Sequence, residues 1–422
     1  MLGWEFPPHI SGGLGVACFH IVKSLRKYAS ITLLLPYLAK GVRLKGVRLI
    51  GIGNLDLGML FNESEREAIF SRFKRKARAM QVSPYPVKAA RQKIQKITRL
   101  SKIQPTGEPR DNPLYEADLY GENVVDKVSF FAEICRNISR KIPFDIIHAH
   151  DWMTFPAALA IKEATGKPLV IHIHSLNTDR IGPEHQGWVF HLEKSALEMS
   201  DLIIPVSRYT GAMIEEHYGI KRNKIFPVHN GIGRLNIFHS PKKFPEKLIL
   251  FLGRLTYQKG PEYFLEVASR VIHKYNNVRF VIAGEGDKFA RMVEESAYKD
   301  IGRKFHFTGF IPRKKVYELF SMTDIFIMPS VSEPFGIVAL EAAQFGIPVI
   351  LSKHSGAAEA LKGALKADFW DTELMVSFIV KLLADEKFAA HVVRQEQKDL
   401  QSLTWDTSAE KISEVYRRLL KS

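Results

Sequence analysis

The stretch Ser330-Val331-Ser332-Glu333-Pro334-Phe335-Gly336-Ile337-Val338-Ala339-Leu340-Glu341-Ala342-Ala343-Gln344-Phe345-Gly346-Ile347-Pro348 constrains the fold more than any other part of this chain. The apolar run Ile325-Phe326-Ile327-Met328 precedes it, and Pro348-Val349-Ile350-Leu351 closes it. Both runs are too short for helices and rich in branched residues, which predicts buried parallel strands. Between them the turn at Pro334–Gly336 leads into a helix that ends at Gly346, a C′ glycine, with Pro348 as a stop. A βαβ unit results, with Glu333 at the strand's carboxyl end and Glu341 about two turns into the helix.

Ligands of open α/β sheets bind outside the carboxyl ends of the strands. A helix N-terminus there offers unpaired N–H groups and a positive dipole to an anion. The amides of Phe335, Gly336, Ile337 and Val338 are therefore expected to face ligand oxygens, with Glu333 and Glu341 accepting from hydroxyls. Two carboxylates repel an anion unless cations stand nearby, so basic residues are required elsewhere in the chain. The same spacing also suits a capping Glu333 and a solvated Glu341.

With 422 residues the chain exceeds one core, and two or three domains are expected. Its 46% apolar and 25% charged residues exclude a disordered chain, and no run reaches the roughly 18 apolar residues of a membrane span. The start lacks the basic and apolar regions of a signal peptide. Met1-Leu2-Gly3-Trp4 reads as the tail of a strand whose first residues are absent. Cys18 and Cys135 form no disulfide framework or metal pattern, which predicts a reducing cytoplasm. A net charge of +15 calls for an anionic partner. Much of it lies in residues 72–102, which carry Lys74, Arg75, Lys76 and Arg78 among others and no acid. No nucleic-acid module accompanies this run, so no nucleic-acid partner is expected. It is either a solvated helical excursion, spanning about 60–110, or a patch for anionic lipid or a polyanionic acceptor.

In chain order, His9-Ile10-Ser11-Gly12-Gly13-Leu14-Gly15 opens a helix pattern over 16–28. Glycine lets backbone amides approach a phosphate closely, so Gly12, Gly13 and Gly15 are candidates for phosphate binding. Residues 37–125 give only strand fragments. Phe144–Trp152 then reads as a strand ending in polar residues, with His148 and His150 on one face. Leu169–Ser175 is another, with His172 and His174 sharing a face. His174 and Asp151 both stand at strand carboxyl ends, where a site is expected. Loop-like residues from Gly231 to Glu246 suggest a domain boundary near 235. The second set begins at Leu248–Gly253, and Arg254 and Lys259 bracket the loop into a helix opened by Pro261. They supply the cations that the carboxylates require. Val278–Ala283 ends in Gly284-Glu285-Gly286, where Gly284 permits close backbone approach. A helix near 373–384 and an amphipathic tail from Ala409 to Leu420 close the chain.

In this order, Gly-Gly-Leu-Gly at 12–15, His-Ala-His-Asp-Trp at 148–152, Ile-His-Ser at 173–175, Asn-Gly-Ile at 230–232, Gly-Arg-Leu-Thr-Tyr-Gln-Lys-Gly at 253–260 and Ser-Glu-Pro-Phe-Gly-Ile-Val-Ala-Leu-Glu at 332–341 appear together. The chain resembles the retaining glycosyltransferases of family 4, and among them the glycogen/starch synthase type. The likeness covers nearly everything except about 40–125. It implies the GT-B fold: two Rossmann-like domains (1–235 and 236–405) facing across a cleft, with a C-terminal helix, 406–422, crossing back to the first. It also implies that Arg254 and Lys259 contact a nucleotide diphosphate, Glu341 the ribose and Glu333 the transferred sugar. His174 matches the family's active-site histidine, and Asp151 the acidic residue on the acceptor side. The 12–15 loop would close on the phosphates, and backbone near Ile311 would meet the base. The family's usual Asp after Asn230-Gly231-Ile232 is Gly233 here, and its second glycine after Ser355-Gly356 is Ala357.

A departing diphosphate needs positive charge, and no Asp-x-Asp pair for a metal occurs, so metal-independent transfer without a cofactor is expected. The leading expectation is hexosyl transfer, with glucose as the sugar, from ADP- or UDP-glucose to an α-glucan. Two others stand beside it. One is a peripheral-membrane glycosyltransferase acting on a lipid or cell-surface polysaccharide. The other is a nucleotide-sugar epimerase on the same fold.

Overall fold

The computed structural model describes residues 1–10, 12–69, 71–72, 113–114, 119–120, 123–237, 242 and 244–421. Of the basic stretch 72–102 only Arg72 is described; the rest lies outside these residues. The chain falls into two compact units. One comprises Met1–Ile173, Gly187–Ile204 and Ile412–Ser422, and the other His174–Gln186 and Pro205–Lys411. Residues 205–235, expected with the first domain, count in the second unit. The last helix, Trp405–Lys421, is shared between the two, with the unit boundary after Lys411.

In the first unit β1 (Ile31–Leu35) pairs in parallel with β2 (Val47–Gly51). A second ladder runs β3 (Ile147–His150), β4 (Leu169–Ile173) and β5 (Leu202–Pro205). Leu2 bridges both Leu34 and Ala149 in parallel, and the backbone of residues 1–3 hydrogen-bonds both ladders. Only a segment buried on both faces tolerates such apolar runs, and β3 and β4 are buried throughout. The helix Val124–Ser139 buries Phe130 and Phe131, and Phe131 meets Trp4 edge-on at 5.7 Å. No clear pattern marks this helix in the sequence, because the residues ahead of it offer only fragments.

The second unit holds a six-stranded sheet in the order β11-β10-β9-β6-β7-β8. Its members are β6 (Lys247–Leu252), β7 (Val278–Ala283), β8 (Phe305–Gly309), β9 (Ile325–Met328), β10 (Val349–Ser352) and β11 (Leu365–Ala367). All five pairings are parallel. The chain lays β6, β7 and β8 outward in one direction, then returns to place β9, β10 and β11 on the other side of β6. The reversal makes the β6/β9 boundary the switch point of the sheet, the place where ligands of open α/β sheets bind. Separate apolar clusters cover the two faces, one around Phe335, Leu340 and Phe345 and one around Phe264, Phe280 and Ile350.

One buried acid sits under this sheet. Glu396, in the helix Glu386–Leu400, accepts from the Val349 amide at 2.9 Å through one oxygen, while its other oxygen is buried without a partner. Burial pushes its carboxyl from 4.5 up to about 8. Between those values the unfolded chain releases the proton that the folded chain keeps, so stability falls as pH rises across the window. A tenfold difference in proton affinity between the two states is worth about 1.4 kcal/mol. Melting temperatures from pH 5 to 9 should therefore decline more steeply for the wild type than for Glu396→Gln, which mimics the neutral acid. Parallel declines would refute this.

Candidate active site

The loops that leave β6 and β9 at the switch point carry the expected residues. Past β6 the chain runs Gly253-Arg254-Leu255-Thr256 and makes one 3-10 turn, Tyr257–Lys259. Gly260 then turns it at φ +62 into the helix Pro261–Lys274, whose proline suits the first turn. A Cβ on Gly260 would lie 2.4 Å from the Pro329 carbonyl, so the β6 and β9 loops touch through a glycine. Past β9, Gly336 (φ +94) opens the helix Ile337–Gln344. Glu341 stands little more than one turn into it, nearer the open end than expected.

The charges pair in a way the sequence did not foretell. Lys259 Nζ donates to Glu333 Oε2. The second carboxylate, Glu341, is joined by Arg313 from the helix Arg313–Phe320. Burial raises the Glu341 carboxyl, and Arg313 only partly offsets this. Arg313 carried no sequence signal: a cation in the first turn of a helix is unremarkable until the fold brings it to Glu341, 28 residues away. Arg254 is exposed and has no carboxylate partner among the described residues. Both carboxylates thus have a cation, and a third cation is left over. The amides of Gly336, the N-cap, and of Ile337 and Val338 in the first helical turn donate to no backbone group among the described residues. Phe335 is buried in the core.

Two neighbours hold this loop in shape. Ser332 donates to the buried Asp179 at 2.5 Å and shares a hydrogen bond with Tyr209 Oη at 3.0 Å. Asp179 also accepts from the Leu176 amide at 2.7 Å. Burial raises the Asp179 carboxyl, which its bonds from Ser332 and Leu176 partly offset, and lifts the Tyr209 phenol to about 12, so the phenol keeps its proton. These pairings span 123 and 153 residues, and no local pattern signals them. His174 opens the same segment as Asp179, and burial drives its imidazole down to about 3. It is therefore neutral near pH 7.

Two expected donor contacts are constrained by packing. The Gly284 amide donates to Gly309 at 3.0 Å. A Cβ there would lie 2.0 Å from the Gly253 carbonyl, so this glycine admits a neighbouring loop. Ile311 packs at the edge of the apolar cluster that contains Phe335.

In the first unit, Gly12 precedes the helix Gly13–Leu25, and a Cβ on Gly12 or Gly13 would meet nothing within 4 Å. Gly15 differs: a Cβ there would come within 2.7 Å of the Glu5 carboxylate. Gly12 and Gly13 border open space, whereas Gly15 serves packing. Asp151 follows β3 with φ +58, rare outside glycine, and its amide donates to the His172 carbonyl at 3.1 Å. His148, His150 and His172 lie together beside it, their ligand atoms within 4.8 Å of one another. Their rings are within 25° of parallel, and His148 already meets Tyr416 Oη and, at 3.2 Å, His172. His148 is thus already engaged through both ring nitrogens, by Tyr416 and by His172.

Residues 234–399 match the family model for glycosyl transferases group 1, and residues 119–233 that for glycosyltransferase family 4. The glycosyltransferase MJ1607 of Methanocaldococcus jannaschii is 30% identical over 296 residues, 65% of this chain and 75% of that one. The chain belongs to the family 4 glycosyltransferases. This glycosyltransferase is also 28% identical to glycogen synthase of Mycobacterium tuberculosis over 287 residues, 64% of this chain and 68% of that one. Among solved structures, sucrose-phosphate synthase from Thermosynechococcus elongatus superposes with a TM-score of 0.69 at 16% identity, covering 100% of this chain and 99% of that one. Anabaena HepE in complex with UDP gives 0.63 at 17% identity, covering 99% of each chain. The fold is the GT-B fold of these enzymes.

Proposed function

We propose that this glycosyltransferase moves a hexose, glucose first among candidates, from a nucleotide diphosphate sugar to an acceptor with retention of anomeric configuration and without a metal. The observation that carries the reading is the charge arrangement at the β6/β9 switch point. Lys259 is spent on Glu333 and Arg313 on Glu341, while the exposed Arg254 has no carboxylate partner among the described residues and the amides of Gly336, Ile337 and Val338 have no backbone acceptor among them. The names of relatives, glycogen synthase and sucrose-phosphate synthase, and the UDP complex of HepE support a nucleotide-sugar donor.

Each residue then has a task. Arg254, and Lys259 once the donor loosens its hold on Glu333, take up charge on the departing diphosphate. Glu341 accepts from ribose hydroxyls and Glu333 from hydroxyls of the sugar. The neutral His174 hydrogen-bonds the sugar rather than supplying positive charge. Backbone near Ile311 receives the base, and Gly12 and Gly13 leave room for phosphates. On the acceptor side Asp151 orients the incoming hydroxyl. The bond from the anomeric carbon to the diphosphate oxygen breaks, that carbon bonds to the acceptor oxygen on the same face, and the acceptor proton passes to the diphosphate.

We take an α-glucan as the acceptor. A test is the release of nucleoside diphosphate from ADP- or UDP-glucose with and without glucan, followed by the anomeric configuration of the product. Release only with acceptor, giving an α-linkage, is expected; acceptor-independent conversion of the sugar would indicate an epimerase. The net charge of +15 favours one second reading, an acceptor presented on an anionic membrane. No helix among the described residues is long and apolar enough to cross a membrane. If the second reading holds, co-sedimentation with anionic liposomes falls severalfold when Lys74, Arg75, Lys76 and Arg78 are changed to Gln, and falls with added salt. An unchanged bound fraction would remove it.

A further inference from the structure

A second anion site is built into the second unit and shares no residue with the switch-point site. A cavity of about 300 Å³ is lined by Arg208, Lys362 and Lys411, which have no carboxylate partner among the described residues. Glu359 is the one acid lining it, and its charge is turned inward. It accepts from His229 Nε2 at 2.9 Å and from the amides of Arg208 at 3.0 Å and Tyr209 at 2.5 Å. Burial raises its carboxyl, but these bonds outweigh burial and hold it below its ordinary value, so it stays ionised and satisfied.

The helix Trp405–Lys421 begins at the wall of this cavity. Thr404 closes this end of the helix: its hydroxyl accepts from the Thr407 amide at 3.1 Å and its carbonyl from the Ser408 amide at 3.1 Å. Asp406 stands in the same turn but does not line the cavity. The independent mark of a ligand is Asn230. It lines the cavity, is only 5% exposed, and its side-chain oxygen is buried without a partner. A buried acceptor left unmet is costly, and a ligand hydroxyl would satisfy it. Three cations call for a dianion, and Asn230 calls for a hydroxyl on the same molecule.

We propose that this cavity binds a phosphate monoester of a polyol or sugar. Calorimetric titration of the full chain with glycerol 3-phosphate tests it. The wild type binds one equivalent, and Lys362→Gln/Lys411→Gln, both exposed positions, weakens binding at least about tenfold while the melting temperature holds. Arg254→Ala binds glycerol 3-phosphate like the wild type, which separates this site from the proposed donor site. Inorganic phosphate binds more weakly than glycerol 3-phosphate, because it offers Asn230 no carbon-borne hydroxyl. Binding lost in Arg254→Ala but kept in the double variant would overturn the proposal. So would no heat from the wild type at about 10 mM ligand, or equal affinity for inorganic phosphate.

Discussion

Arg254→Ala should lower sugar transfer at least about 100-fold, on the order of 3 kcal/mol, while the protein folds as stably as the wild type. The two halves of this expectation have one cause. Arg254 is exposed and has no ion-pair partner among the described residues, so truncating it costs the fold about 0.5 kcal/mol or less. On the proposed reading its charge matters only when a diphosphate carries negative charge past the end of β6. Turnover and melting temperature, measured on one preparation, check both halves. Full activity would remove Arg254 from the reaction, and a large loss of stability would mean that the activity effect cannot be assigned to charge.

Lys259→Met should lose at least as much transfer and, unlike Arg254→Ala, should also destabilise the fold. Glu333 is 6% exposed, so removing its cation strands a carboxylate in a poorly solvated place. The double variant Lys259→Met/Glu333→Gln separates the effects. Neutralising Glu333 removes the stranded charge, so stability recovers by about 1–3 kcal/mol relative to Lys259→Met. On the proposed reading activity does not recover, because the cation assigned to the diphosphate is still missing. Denaturant midpoints and initial rates of the four proteins form the cycle. Equal stability of Lys259→Met and the wild type would show that the ion pair does not support the loop.

Much of the frame of the candidate site was legible because it is local. The strand at Ile325–Met328, the glycine turn and the helix Ile337–Gln344 follow one another within twenty residues, and period, glycine and proline each mark a boundary. The loop from Arg254 to Lys259 was legible for the same reason. What stayed hidden is contact at long range. Arg313 against Glu341, Asp179 against Ser332, and Glu359 against the amides of Arg208 and Tyr209 are each made by the fold, with no periodicity to betray them. Gly284 and Gly15 have a packing reason for glycine that no sequence pattern shows. At both, a neighbouring part of the protein, the Gly253 carbonyl or Glu5, occupies the space a side chain would need. Of the three glycines expected at the phosphates, Gly12 and Gly13 border open space.

The claim that fixed protein charge, rather than a divalent cation, receives the diphosphate is tested most directly by titrating UDP into the wild type and Arg254→Ala by calorimetry, once with EDTA and once with magnesium. The account predicts equal wild-type affinity in the two buffers and at least about tenfold weaker binding by the variant in both. Binding that appears only with magnesium, or that Arg254→Ala leaves untouched, would contradict it.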